Sequence, residues 1–444
     1  MLKRIRIQGY KSLADMDVRL KPLSVLFGPN AAGKSNFLDA IQLLSRIATS
    51  KTLREAFEPP YRGKPLESFS LCGSNGLNDL LQKENAKFSI EVDIELSDGV
   101  VQSVNRQILE MRKGVQGDGA NGDKKAKKPA LVREKNLRYC VEIEILPKSG
   151  ILRLSNESLA ALASRDKGTK SRHAFFDKAE DNKFHVRMEG QARPTYYERY
   201  LDHTILSQPF YPPHYPHIVA AREELSRCNF FYFEPRERMR ASNPVKEVRH
   251  IGLMGEELAA FLNTLKAIAL PQFKAVEKAL HMIVPSVTGI DVDVNTLGEV
   301  DLWLTEGNLK LPARVVSEGT LRVLGLLALS GAKDPPALIG LEEPENGIHP
   351  RRIRDVATLL RNRSESGASQ LIVTTHSPVL LDLLPDDSLF VCRKEDGRTT
   401  ITPLGTYLPV MHSERHNDIA EALDEPHPVS LLVSERLMRG DFDA

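Results

Sequence analysis

The chain has few cysteines, a single tryptophan and almost no net charge. Its four cysteines (Cys72, Cys140, Cys228 and Cys392) are scattered over 444 residues without a C-x-x-C pair. That spacing argues against a disulfide scaffold or a cysteine zinc site and fits reduced thiols in a cytoplasm. The formal net charge is +1, so no overall field marks the chain for nucleic acid or a membrane surface. No uninterrupted apolar run reaches the roughly 18 residues that suggest a membrane span. Lys3, Arg4 and Arg6 open the chain, but no apolar segment of the signal-peptide kind follows them. What is expected is a soluble cytoplasmic protein, too long for one ordinary core.

The strongest positive feature is Phe27-Gly28-Pro29-Asn30-Ala31-Ala32-Gly33-Lys34-Ser35, a complete G-x-x-x-x-G-K-S loop. An apolar run, Pro22–Phe27, enters it, and a helical pattern from Lys34 to about Ala48 leaves it. Gly28 and Gly33 let the backbone curl so that successive N–H groups face one anion, and the helix N-terminus adds its positive end. Lys34 is placed to reach the β- and γ-phosphates, and the Ser35 hydroxyl to hold Mg²⁺. This pattern predicts a nucleoside-triphosphate site.

Along the chain, Leu2–Tyr10 and Met16–Leu20 alternate as strands. Phe88 to Met111 suggests two more, divided by the turn signal Ser97-Asp98-Gly99. Residues 114–129, rich in Gly and Lys, have almost no large apolar group and predict a flexible loop tip. Leu137–Leu146 is a strand pattern, whereas about 157–227 looks mainly helical and irregular, with an aromatic- and proline-rich piece at 209–217. From 229 onward a short strand, two helices and a strand pair precede an alternation of helices and strands that implies a mostly parallel sheet. The expected division is 1–110 and 229–410 as two halves of one α/β domain, 111–228 as an insertion, and 411–444 as an acidic tail.

Three further segments carry chemistry. Ala337–Leu341 is an apolar strand that runs into Glu342-Glu343-Pro344-Glu345, the edge at which an α/β sheet places ligand groups. Glu342 would stand by a metal shell and Glu343 would polarise an attacking water, although a solvated acidic turn would look alike. A second strand, Leu371–Thr375, ends in His376, placed to sense a γ-phosphate or to serve as an ordinary hydrogen-bonder. Ser317-Glu318-Gly319-Thr320 opens a helix, as an N-cap that leaves N–H groups for an anion or as a plain N-cap. His203, His214 and His217 lie in or near the aromatic stretch, where a packed loop is expected in preference to a metal site.

Taken in order, these four motifs resemble the ABC-type ATPase head, in particular the RecF, SMC and OLD branch often labelled AAA ATPases. The resemblance covers about 1–50 and 310–395. It implies an α/β P-loop head with a mostly parallel sheet, an antiparallel β subdomain and a mixed, mainly helical insertion, with ATP and Mg²⁺ as cofactors. Walker A is then Gly28–Ser35. ATP would contact Asn30, Ala31, Ala32, Gly33, Lys34, Ser35 and Asn36, with Lys11 and Ser12 from the opening hairpin and Ser317 and Gly319 from the signature loop. Ser35 and Glu342 would hold the metal, Glu343 would be the base, His376 the switch histidine, and Glu345–His349 the D-loop region. The chain departs from the pattern in having Glu342-Glu343 for Asp-Glu and Ser-Glu-Gly-Thr for Ser-Gly-Gly-Gln, and the Q-loop glutamine has only Gln82 and Gln102 as candidates.

In this branch the signature loop of one subunit closes on the phosphates of another, so a homodimer with two shared ATP sites is expected. The insertion does not suit a transporter cassette, the lack of heptads speaks against a coiled-coil arm, and the stretch after His376 is short for a Toprim nuclease domain. Two functions stay open, beside the plainer one of an ATP-binding scaffold that hydrolyses little. One is a sensor or regulator of a separately encoded effector, nuclease or toxin, in a bacterial defence system. The other is a RecF-like ATPase that binds DNA in repair, with the Lys124–Lys135 run on phosphates.

Overall fold

The computed structural model describes residues 1–70, 76–115, 131–162, 174–179, 183–189, 194–198, 201–331, 335–406, 432–440 and 442. Cys72, most of the 114–129 loop and most of the 411–444 tail lie outside them. The chain forms two compact units. One comprises Met1–Lys21, Ser35–Cys228 and Lys394–Thr400; the other comprises Pro22–Lys34, Asn229–Arg393 and Ile401–Ala444.

The first unit is built on an antiparallel sheet in the order β2-β1-β4-β5-β6-β7-β8-β9. Its strands are β1 (Leu2–Tyr10), β2 (Leu13–Arg19), β4 (Ala86–Glu95), β5 (Asn136–Leu146), β6 (Ile151–Ala161), β7 (Phe176–Lys178), β8 (Phe184–Arg187) and β9 (Pro194–Tyr197). Strict alternation drives it: Phe88, Ile90, Val92 and Ile94 of β4 and Leu137, Tyr139, Val141 and Ile143 of β5 are buried while their neighbours are not. Helices α1 (Lys34–Ile47), α2 (Leu53–Ala56), α3 (Leu77–Gln82), α4 (Asp98–Val115) and α5 (Pro216–Ser226) complete the segment.

Two expectations are corrected in this unit. Ser97-Asp98-Gly99 does not turn between strands but starts α4, with the Ser97 hydroxyl accepting the Val100 N–H at 3.4 Å. A small polar residue before an apolar face signals an N-cap as readily as a turn. The insertion is also mainly strand among its described residues, not mainly helical, and β4 and β5 pair across the expected boundary at 110/111. Register shifts at Glu142/Ile143 and the shortness of β7, β8 and β9 hide the period of two. The carboxyl of Glu157, on β6, is fully buried and accepts from the Tyr139 hydroxyl at 2.8 Å and from the N–H groups of Ile205 and Leu206 at 2.5 and 3.1 Å.

The second unit carries a sheet in the order β10-β15-β16-β3-β17-β18: β10 (Cys228–Phe231), β15 (Leu338–Glu342), β16 (Gln370–Thr375), β3 (Leu23–Phe27), β17 (Leu389–Glu395) and β18 (Arg398–Pro403). β15, β16, β3 and β17 run parallel. All five residues of β3 and all six of β16 are buried, the continuous burial of strands covered on both faces. Helices α6 (Leu258–Ile268), α7 (Leu270–Ile283), α8 (Glu318–Gly331), α9 (Pro350–Glu365) and α10 (Pro378–Leu381) belong here. So does a small antiparallel sheet, β11 (Asn243–Pro244), β13 (Glu299–Glu306) and β12 (Val287–Val294), with β14 (Leu309–Pro312) on β13. α8 is apolar nearly all round and lies inside the core. The end of the expected acidic tail also packs into that core: Phe442 is fully buried, edge-on to Phe27 at 5.1 Å.

Candidate functional site

Register aligns the tips of three parallel strands in the second unit. Phe27 of β3 pairs with Thr375 of β16, and Thr374 pairs with Glu342 of β15. The residues that follow are Gly28, His376 and Glu343, so three separate sequence segments deliver their polar groups to one edge of the sheet.

Gly28 has φ of 146°, and a Cβ there would sit 2.1 Å from the carbonyl oxygen of Cys392. Only glycine fits. Ala31 and Gly33, with φ of 62° and 100°, also have positive φ, the kind of backbone from which anion-binding nests are built. Lys34 is 5% exposed. Its ammonium donates to the carbonyls of Gly28 and Pro29 at 2.9 and 2.8 Å. Burial pulls its pKa below the ordinary lysine value, with Cys392, Glu343 and Glu342 acting in the opposite direction.

His376 joins this cation to the acids. Its Nδ1 lies 3.5 Å from Lys34 Nζ and its Nε2 lies 3.2 Å from Glu343 Oε1. An ammonium offers only protons, so the neutral tautomer that fits carries its proton on Nε2, toward the carboxylate. Burial, and then Lys34, holds the imidazole below its usual pKa, while Glu343 pulls it upward. Glu343 sits at φ of 46°, and its N–H donates to Thr374 O at 2.9 Å. A non-glycine residue in that region costs of order 1–3 kcal/mol, a strain that concentrates at functional positions. Glu342 is half-buried at the strand end.

Ser317 caps α8: its hydroxyl accepts the Thr320 N–H at 3.2 Å and meets the Thr320 hydroxyl at 2.7 Å. A Cβ on Gly319 would stand 2.6 Å from Gly347 O. Glycine at this position therefore lets α8 rest directly on the turn that follows Glu345.

In the first unit, Lys11 at φ of 43° donates to Asp39 at 2.7 Å. Arg62 reaches the other oxygen of Asp39 at 2.8 Å. Ser12 accepts from Asn36 Nδ2 at 2.8 Å and pairs with the Thr399 hydroxyl at 2.7 Å. Asn30 and Ala31 are exposed, Ala32 is buried and Ser35 is half-buried. Gln82 and Gln102 are both exposed, on α3 and α4.

Sequence reasoning missed Asp39, whose signal is an acid set among the apolar residues of α1, and Thr375 and Cys392, which carry no signal. Of the three histidines, His217 is buried in a packed loop, His214 is exposed and His203 pairs with Asp202 at 2.8 Å. His217 faces Glu189 at 2.7 Å and accepts the N–H groups of Arg133 and Glu134 at 3.0 Å, while His214 stacks edge-on against Tyr211. Among the described residues no group of three metal-ligating side chains occurs, and no described helix is long and apolar enough to cross a membrane.

The chain is similar to several known proteins. A family model described as an AAA domain, putative AbiEii toxin, Type IV TA system, matches residues 212–382. A second, described as an AAA ATPase domain, matches residues 1–201. An OLD nuclease of Thermus scotoductus is 22% identical over 408 residues, covering 90% of this chain and 64% of that protein. The chain thus spans less than two thirds of that relative. A chromosome partition protein Smc of Desulfitobacterium hafniense is 42% identical over 77 residues, 17% of this chain and 6% of that protein. Among solved structures, an Smc head bound to the C-terminal winged-helix domain of ScpA superposes with a TM-score of 0.51 at 13% identity, covering 90% of this chain and 97% of that one. The fold is the α/β fold of an SMC head.

Proposed function

We propose that this chain, a P-loop ATPase of the AAA, SMC and OLD type, binds and hydrolyses ATP in the cytoplasm as a head-to-tail pair and thereby controls a separately encoded effector. The reading is carried by the meeting of Lys34, His376 and Glu343 at one sheet edge.

The N–H groups of Asn30 to Ser35 and the Lys34 ammonium bind the phosphates. The Ser35 hydroxyl and the Glu342 carboxylate are hard oxygen donors suited to Mg²⁺, which when bound supplies charge neutralisation at the phosphates. Glu343 takes the proton of the attacking water. His376, neutral at its depressed pKa, donates toward Glu343 and reports the state of the γ-phosphate. Ser317 and Gly319 of a second copy close the site, and Gly319 against Gly347 links that closure to the acidic turn.

Matches to a family described as a putative AbiEii toxin of a Type IV TA system and to an OLD nuclease support a toxin or nuclease as the activity that the ATPase serves. A RecF-like role on DNA is the second reading, favoured by Arg351, Arg354 and Arg361, which share an exposed face of α9; salt-sensitive DNA capture would select it.

The test is titration calorimetry of ATP with and without Mg²⁺. Lys34→Ala should abolish measurable binding in a protein that still melts cooperatively; wild-type affinity in that variant would refute the nucleotide site.

A further inference from the structure

Beyond the last register pair, Glu342 and Thr374, the two strands separate, one into the turn at 343–348 and the other into His376. The Glu345 side chain spans that gap. It is 8% exposed, and its Oε1 accepts a short hydrogen bond from the Thr375 hydroxyl. The oxygen of that hydroxyl accepts the Ser377 N–H at 2.9 Å. The carboxyl also receives the His376 backbone N–H. One carboxyl therefore holds the backbone on both sides of the imidazole, while Glu343, two residues earlier in the same turn, meets the ring itself.

This arrangement is costly. Glu345 Oε2 and the neighbouring Thr374 Oγ1 are buried without a hydrogen-bond partner, and burial raises the Glu345 pKa above the ordinary carboxyl value. A well-packed apolar residue would stabilise the fold at least as well, and local rules broken at such expense mark function. The turn that carries Glu345 is also the one on which α8 rests, through Gly319 and Gly347 O.

We propose that Glu345 is a positioning residue: its carboxyl fastens the His376 segment to the 343–348 turn, so that any displacement of that turn by the start of α8 is delivered to the imidazole between Lys34 and Glu343. The kinetic part of this inference rests on the ATPase reading. The buried carboxyl, already engaged by the Thr375 hydroxyl and the His376 N–H, does not act as the base.

A double-mutant cycle with Glu345→Ala and His376→Ala tests it, alongside the ring ¹⁵N and ¹H resonances of His376 in the protein without nucleotide. Glu345→Ala should lower kcat by about 10- to 100-fold with an unchanged KM for ATP and should shift the His376 ring signals. In the His376→Ala background it should change kcat by less than about twofold. Glu345→Gln keeps an acceptor for Thr375 and should retain most activity and the wild-type ring signals. If Glu345→Ala fails to fold, Thr375→Val is expected to reproduce the same loss and the same ring shift. Full additivity of the two substitutions, or unmoved His376 resonances, would overturn the proposal. A wild-type chain without ATP turnover would refute the ATPase reading alone, since the resonances still decide the positioning role.

Discussion

His376 Nε2 lies 3.2 Å from Glu343 Oε1, and the two residues come from the ends of different strands, β16 and β15. A carboxylate held by a neutral imidazole is oriented without being neutralised, which suits a base that must take a proton from water. Glu343→Gln is nearly isosteric and cannot accept that proton. ATP binding should persist within a few-fold while phosphate release falls about 10²- to 10⁴-fold. Calorimetry and a phosphate-release assay together check this, and unchanged turnover would move the base elsewhere.

Glu157 predicts a pH dependence in the first unit. Complete burial pushes its carboxyl from the ordinary 4.5 up to about 7, against the hydrogen bonds from Ile205, Tyr139 and Leu206 that lower it. With the folded pKa above the unfolded one, the folded state binds the extra proton. Its contribution to stability is full below the unfolded pKa and is lost as pH rises through the folded value, by at most about 3 kcal/mol. Glu157→Gln should remove this slope between 4.5 and about 7, whatever its effect at low pH. Urea midpoints of both proteins across that window are the measurement; an identical slope in the variant would contradict the assignment.

Phe442 tests the packing of the C-terminal segment. The side chain is fully buried against Phe27, the last residue before the phosphate loop, and its carbonyl accepts from Arg393 Nε at 3.0 Å. The Arg436 guanidinium lies 4.9 Å from its ring centre, and the Ser434 N–H donates to Asp382 at 2.9 Å. Phe442→Ala should cost about 3–5 kcal/mol of unfolding free energy, read from denaturant unfolding. A change below about 1 kcal/mol would mean the segment is not docked.

These cases show which parts of the molecule were legible in the sequence. Strand β3, the loop from Gly28 and the strands that end in Glu342 and Thr375 announce themselves because continuous apolar runs break abruptly into Gly, Glu and His. The strands of the insertion did not, because β6 carries a buried glutamate on its core face and β7 to β9 are only three or four residues long. In sequence Phe442 is indistinguishable from a charged tail because its neighbours are acids, and one aromatic residue gives no period. The Thr375 and Glu345 contact leaves no trace in sequence, since its two members lie 30 residues apart and meet only through strand register.

The central claim is that two copies share each ATP site, with Lys34 from one and Ser317 from the other. Mixing Lys34→Ala chains with Ser317→Arg chains tests it most directly. Each variant alone should be inactive, because every paired site contains its defect. Mixed pairs regain one intact site, so a random equal mixture should recover roughly a quarter of wild-type ATP hydrolysis, if pairs form as closed two-fold assemblies. Tagging one variant and recovering the other establishes that mixed pairs are present. Activity no higher than that of either variant alone, in a sample shown to contain them, would contradict the shared-site account.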